Sequence, residues 1–122
     1  MALDTFEKVE NYLKRYQELN YDIILYENKM GGLKSISYSQ EEKGTAQNDM
    51  MLVYMQKIEE CQAKQEEIEK FIEKNFSGRD KAMIHEKYVC NHSNVAIGDK
   101  HHYSSVHVKR LIKKAIYKYL AK

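Results

Sequence analysis

The sequence predicts an all-α protein: a long antiparallel helical hairpin followed by a small three-helix module. The 122 residues include no proline and only five glycines, so little forces a long helix to break. Two apolar stripes of matched length, over residues 6–30 and 51–76, recur at intervals of three and four. Beyond residue 77 the periodic segments shorten and the balance of charge changes sign.

Asp4 followed by Glu7 has the form of a capped helix start. From there Phe6, Val9, Leu13, Tyr16, Leu19, Ile23, Tyr26 and Met30 lie along one stripe, predicting a helix over 4–29 that Gly31 and Gly32 end. Residues 31–47 mix glycine, serine and charge without a helical period and are expected to form a long connecting loop, with Leu33, Ile36 and Tyr38 available to pack back. Met51, Tyr54, Ile58, Cys61, Gln65, Ile68, Ile72 and Phe76 then predict a second helix over 48–75. Two stripes of this kind bury each other in an antiparallel coiled-coil hairpin, or pair with a second subunit. Ser77 with Asp80 has the form of a capping box, which puts a domain boundary near residue 77. Residues 1–76 are then the hairpin, serving dimerisation or partner binding, and residues 77–122 a module with helices over 79–90, 94–101 and 105–120.

Residues 1–75 carry 10 Lys/Arg against 15 Asp/Glu, giving −5, whereas residues 76–122 carry 10 against 3, giving +7. A basic module on an acidic stalk points to a polyanionic partner. All five histidines also fall in the basic part, which gains charge as pH drops below neutral. The longest apolar run, Met50 to Met55, is too short to span a bilayer, and no charged-then-apolar leader opens the chain. A soluble cytoplasmic protein with Cys61 and Cys90 as free thiols is expected.

Several chemistries have no support. There is no glycine-rich phosphate loop, nucleophile elbow or metal-hydrolase motif, so no enzyme, cofactor or small-molecule substrate is expected. His85, Cys90, His92, His101, His102 and His107 include no Cys-x-x-Cys pair and make a sparse start for a tetrahedral zinc site. Tyr12, Tyr16, Tyr26 and Tyr54 fall on or beside the stripes, so packing rather than base stacking is their expected use.

The last two segments have the layout of a helix-turn-helix. Ser93 caps a short scaffold helix whose Val95, Ala96 and Ile97 face inward, Gly98 lets the next helix cross closely, and Tyr103 ends the turn as its buried residue. Ser104 caps the last helix, and Val108, Leu111, Ile112, Ala115 and Tyr119 form its buried stripe. Its other face displays Ser105, Val106, His107, Lys109, Arg110, Lys113 and Lys114. Such a helix suits the major groove of DNA: Ser105, Val106, His107 and Arg110 are placed to meet base edges, and Lys109, Lys113, Lys114 and Lys118 to meet phosphates.

The stretch AMIHEKYVCNHSNVAIGDKHHYSSVHVKRLIKKAIYKYL, residues 82–120, resembles the promoter-reading helix-turn-helix of sigma factors, with Tyr88, Ser93, Ile97, Ser104, Val108 and Ala115 at matching spacings. Gly98 stands where that pattern usually has alanine, a departure expected to be conservative. Upstream, SISYSQEEKGTAQNDMMLVYMQKIEE, residues 35–60, is similar to small phage proteins of the ArpU/RinA-like group of late-gene transcriptional activators from Gram-positive bacteria. The resemblance implies a DNA-binding activator of phage late genes in the bacterial host cytoplasm, associated with the nucleoid. Its implied partners are promoter or operator DNA and host RNA polymerase, with the hairpin either forming a homodimer or touching polymerase. Two other readings fit the same layout: a phage small terminase subunit, and a protein-binding helical adaptor.

Overall fold

The computed structural model describes the backbone of residues 3–37 and 44–122, and the side chains of residues 3–32 and 49–122. The described residues form helices and no strand: α1 (Phe6–Ser37), α2 (Gly44–Asn75), α3 (Gly78–Ile84) continued by a π-helical turn (His85–Val89), α4 (Asn94–His101) and α5 (Ser105–Leu120). The all-α expectation holds. The contacts divide the chain into two compact units, Met1–Gln17 with Glu66–Lys122, and Glu18–Gln65. Each of the two long helices therefore belongs in part to each unit, whereas the break between α2 and α3 lies near residue 77.

Helix α1 starts one residue later than the Asp4 cap implied. The Thr5 hydroxyl accepts the Lys8 backbone N–H at 3.2 Å, and Asp4 instead pairs with the Lys8 ammonium at 2.9 Å. The expected stop at Gly31–Gly32 is also overturned, since α1 continues to Ser37 and α2 begins at Gly44. Neither glycine takes a positive φ, so neither forms the left-handed cap that would end the helix. Without proline nearby, two glycines lower helix propensity by only about 1 kcal/mol each, too little to stop a long helix. Residues 38–43 of the expected loop, and the side chains of Leu33, Ile36 and Tyr38, lie outside the described residues.

In the unit of residues 18–65, Leu19 and Ile23 are buried, and the half-buried Tyr26 and Tyr54 stack at 6.0 Å. The Lys29 and Lys57 ammonium groups lie over these two rings, at 5.6 Å from Tyr54 and 5.8 Å from Tyr26. Gln65, a polar residue within the apolar stripe, is buried and donates to Asn20 Oδ1 at 2.7 Å. Burial, with Asp22 nearby, pushes the Cys61 thiol above its ordinary pKa.

In the other unit, Val9 and Leu13 of α1 and Ile68 and Ile72 of α2 are fully or almost fully buried. They share the core with Met83, Ile84, Tyr88, Ile97, Val108 and Ile116. Tyr12 meets Phe71 edge-on at 5.1 Å, and Phe71 in turn meets Tyr119 at 5.3 Å. The segment expected as one helix over 79–90 changes pitch at His85. Cys90 N–H bonds back five residues to His85 (3.1 Å) and His92 N–H six residues to Glu86 (2.9 Å). Carbonyls at such a helix end need outside donors, and the Gln17 side-chain amide donates to both Tyr88 O (3.1 Å) and Val89 O (2.9 Å). The Ser77 capping box does not form: Ser77 makes no side-chain cap bond, because Gly78 at φ +59° leaves the helical path where the capped turn should begin.

The segments α4 and α5 fall where the sequence put them. Ser93 Oγ accepts Ala96 N–H and Ser104 Oγ accepts His107 N–H, each at 3.1 Å. Between the helices, His102 turns left-handed at φ 65°, and Tyr103 N–H bonds to Gly98 O at 2.8 Å. The inward-facing set is narrower than expected: Ile97 is fully buried, but Val95 is 60% exposed and Ala96 is exposed too. This eight-residue helix buries a single stripe, and Gly98 takes the place beside Ile97. Tyr103, Leu111 and Tyr119 are half-buried, while Ile116, not among the expected core residues, is fully buried.

Gly98 is the point where the resemblance to an alanine-bearing pattern misleads. A Cβ there would press into the Tyr103 carbonyl oxygen and sit 3.3 Å from its carbon, both backbone atoms that no rotamer change can move. Gly98→Ala is expected to destabilise the protein by about 1–3 kcal/mol, the usual cost of overpacking. Urea unfolding followed by circular dichroism reads it, and an unchanged midpoint would mean that the turn has slack.

Candidate nucleic-acid interface

Helix α5 is amphipathic in the sense a groove-reading helix needs. Val108, Ile112, Ala115 and Ile116 are buried, while Val106, His107, Lys109, Arg110, Lys113, Lys114 and Lys118 are exposed. Ser104 is exposed at the cap and Ser105 half-buried beside it. Among the described residues, none of the five Lys/Arg side chains on this face joins an ion pair. Unpaired cations on a packed helix remain available to an anion from outside.

The two flanks of this face differ. On one, the Lys113 ammonium lies 5.9 Å from the Phe6 ring centre, and Phe6 stacks on Tyr117 at 5.1 Å. On the other, the His107 ring sits 4.8 Å from the Tyr103 ring, whose hydroxyl accepts a hydrogen bond from Arg79 at 3.1 Å. The Arg79 guanidinium also lies 5.8 Å from the Tyr103 ring centre. At 100° per residue, Val106 and Arg110 fall between these flanks. Sequence reasoning missed Arg79: it stands 28 residues before His107, and only the turn that brings Tyr103 against α3 joins the two.

One buried carboxylate ties the π-helical turn to α4. Glu86 is 7% exposed, accepts from the Lys100 ammonium at 2.8 Å, and meets His101 Nε2 at 2.9 Å. Burial pushes its pKa up, but the hydrogen bonds and charges of Lys100 and His101 outweigh burial and hold the carboxyl below its ordinary value. The same contacts raise Lys100. Lys100 is thus spent on structure, which its sequence position does not reveal.

Of the histidine and cysteine cluster, Cys90 Sγ and His85 Nδ1 come within 3.6 Å. Among the described residues no three His, Cys, Asp or Glu side chains gather as a metal would require. No helix among the described residues is long and apolar enough to cross a membrane. No family model, curated protein or solved structure matches the chain.

The lowered Glu86 pKa fixes a direction for acid sensitivity. As pH falls, the unfolded chain, with Glu86 at its ordinary value near 4.5, takes up the proton before the folded chain does. The stabilisation is therefore complete above that value and is lost as pH drops through the lower folded value. Glu86→Gln is expected to lower stability at neutral pH and to flatten the acid limb below pH 4.5. Thermal unfolding from pH 7 to pH 3 reads it, and parallel acid limbs for the two proteins would refute the role.

Proposed function

We propose that the chain is a sequence-specific regulator of transcription that binds duplex DNA, with α3 to α5 as a helix-turn-helix and α5 as the recognition helix. The observation that carries this reading is α5 itself: a Ser104-capped helix, buried along one side and displaying along the other Arg110, Lys109, Lys113, Lys114 and Lys118, none of which joins an ion pair among the described residues. Helices of this kind enter the major groove with their N-terminal residues on base edges and their flanking cations on phosphates. Ser105, Val106, His107 and Arg110 take the bases in this reading; Ser104, at the cap, lies beside them; and Lys109, Lys113, Lys114 and Lys118 take phosphates. Arg79 joins them through Tyr103 and His107.

The long helices serve as an antiparallel hairpin. Tyr12 with Phe71 and Tyr16 with Glu69 in one unit, and Asn20 with Gln65 and Tyr26 with Tyr54 in the other, pair rising numbers on α1 with falling numbers on α2. The unit of residues 18–65 would also form a homodimer. There Tyr21, Ile24, Leu25, Leu52, Val53 and Met55 are 42–67% exposed, on helix faces that a soluble monomer would fill with polar groups. These six side chains would form the apolar centre of such an interface, with polar neighbours as its rim. The resemblance to ArpU/RinA-like proteins supports activation of phage late genes with host RNA polymerase in the bacterial cytoplasm, without enzymatic activity or cofactor.

The test is a gel-shift titration on genomic fragments at two salt concentrations with random duplex as competitor. Retention of a fragment upstream of late genes is expected. Retention at packaging genes would favour a small terminase subunit, and no retention would favour a protein-binding adaptor. Arg110→Ala should cost about 1–3 kcal/mol on the specific site and little on random duplex, while Lys113→Ala weakens both alike. Equal losses for Arg110→Ala on both duplexes would remove it from base reading. For the dimer, Leu52→Glu should halve the mass seen by sedimentation velocity with the helical signal intact, and an unchanged mass would place the interface elsewhere.

A further inference from the structure

A cavity of about 320 Å³ opens beside α5, lined by residues from α1, the π-helical turn, α4 and α5. Four lysines line it, Lys14, Lys87, Lys109 and Lys113, against one carboxylate, Glu10. That carboxylate is already engaged: Oε1 pairs with Lys14 at 3.3 Å and Oε2 accepts the Tyr88 hydroxyl at 3.3 Å. Among the described residues, Lys87, Lys109 and Lys113 have no carboxylate partner, so three positive charges converge on one concavity uncompensated. Phe6, Tyr88 and Ile112 supply much of the remaining wall, and apolar walls focus the field of the charges between them.

Asn94 also lines the cavity, and its buried Oδ1 has no hydrogen-bond partner among the described residues. An amide oxygen accepts and does not donate, so the sign of the site is set by its lysines. Their three ammonium groups are the donor set for a tetrahedral oxyanion with several acceptor oxygens.

We propose that this cavity is a phosphate-binding site, in which Lys87 holds a phosphate group jointly with Lys109 and Lys113 of α5, and Lys14 adds long-range attraction. The phosphate comes from the DNA backbone flanking the groove that α5 enters. This source rests on the DNA-binding reading, but the site itself does not. It extends the contact surface beyond the recognition helix, to the start of α1 and the end of the π-helical turn.

The experiment is lysine acetylation footprinting by mass spectrometry on the full chain, alone, with duplex, and with inorganic pyrophosphate, using exposed Lys64 as internal reference. Duplex is expected to slow acetylation of Lys87 and Lys14 together with Lys109 and Lys113. In parallel, Lys87→Ala should reduce the log–log salt dependence of duplex binding by about 1, and Lys14→Ala by less, without changing preference between duplexes. Protection by pyrophosphate but not by duplex would keep the site and assign it to a free phosphorylated compound. Duplex binding with Lys14 and Lys87 unprotected and the salt dependence unchanged would overturn the site while leaving the recognition helix intact. Protection by neither ligand would overturn it outright.

Discussion

The close approach of the Gly98 and Tyr103 backbones is the constraint on which the cationic face of α5 depends. A 2.8 Å hydrogen bond from Tyr103 N–H to Gly98 O, with His102 in the left-handed region, folds the chain back within five residues. It leaves no room for a side chain at position 98. With the turn this tight, Ser104 falls at the start of α5 and caps it, and Val108 and Ile112 drop into the core beside Ile97. The cationic face then points outward as a consequence, since 3.6 residues per turn leave it nowhere else. Orientation of α5 comes from the backbone turn, not from the cations themselves.

Polar groups hold this arrangement where apolar packing alone would leave it free to slide. Glu86 joins the π-helical turn to Lys100 and His101 of α4, and Gln17 joins α1 to the carbonyls that the same turn leaves behind. Tyr88 reaches across to Glu10 from a buried position, where burial, with Glu10 nearby, pushes its phenol pKa up and keeps it a donor. Buried polar contacts contribute less to net stability than apolar burial, because desolvation offsets much of their attraction, but they fix register. Here they set the start of α1 beside α5, which brings Lys14 and Lys87 to the same cavity as Lys109 and Lys113.

The positive charge of the C-terminal residues accordingly divides into two uses. Lys100 is consumed by Glu86 and Lys81 by Glu73, the latter an exposed pair worth little. The cations of α5 find no carboxylate among the described residues. Net charge alone cannot separate these two groups.

By itself the sequence determined the helical class, the two stripes and the caps at Ser93 and Ser104. These follow from spacing and from side-chain chemistry within a few residues: Val9, Leu13, Ile68 and Ile72 are buried where the period put them. It misjudged features that turn on small local free energies, such as Gly31–Gly32, where about 1 kcal/mol per glycine does not outweigh helix continuation, and Ser77, whose cap is undone by the φ of its neighbour. Only the tertiary structure decided which residues distant in the chain meet. Arg79 beside Tyr103, Gln17 under Val89 and Tyr88 on Glu10 are contacts between elements, set by packing angles and turn geometry that no local periodicity encodes.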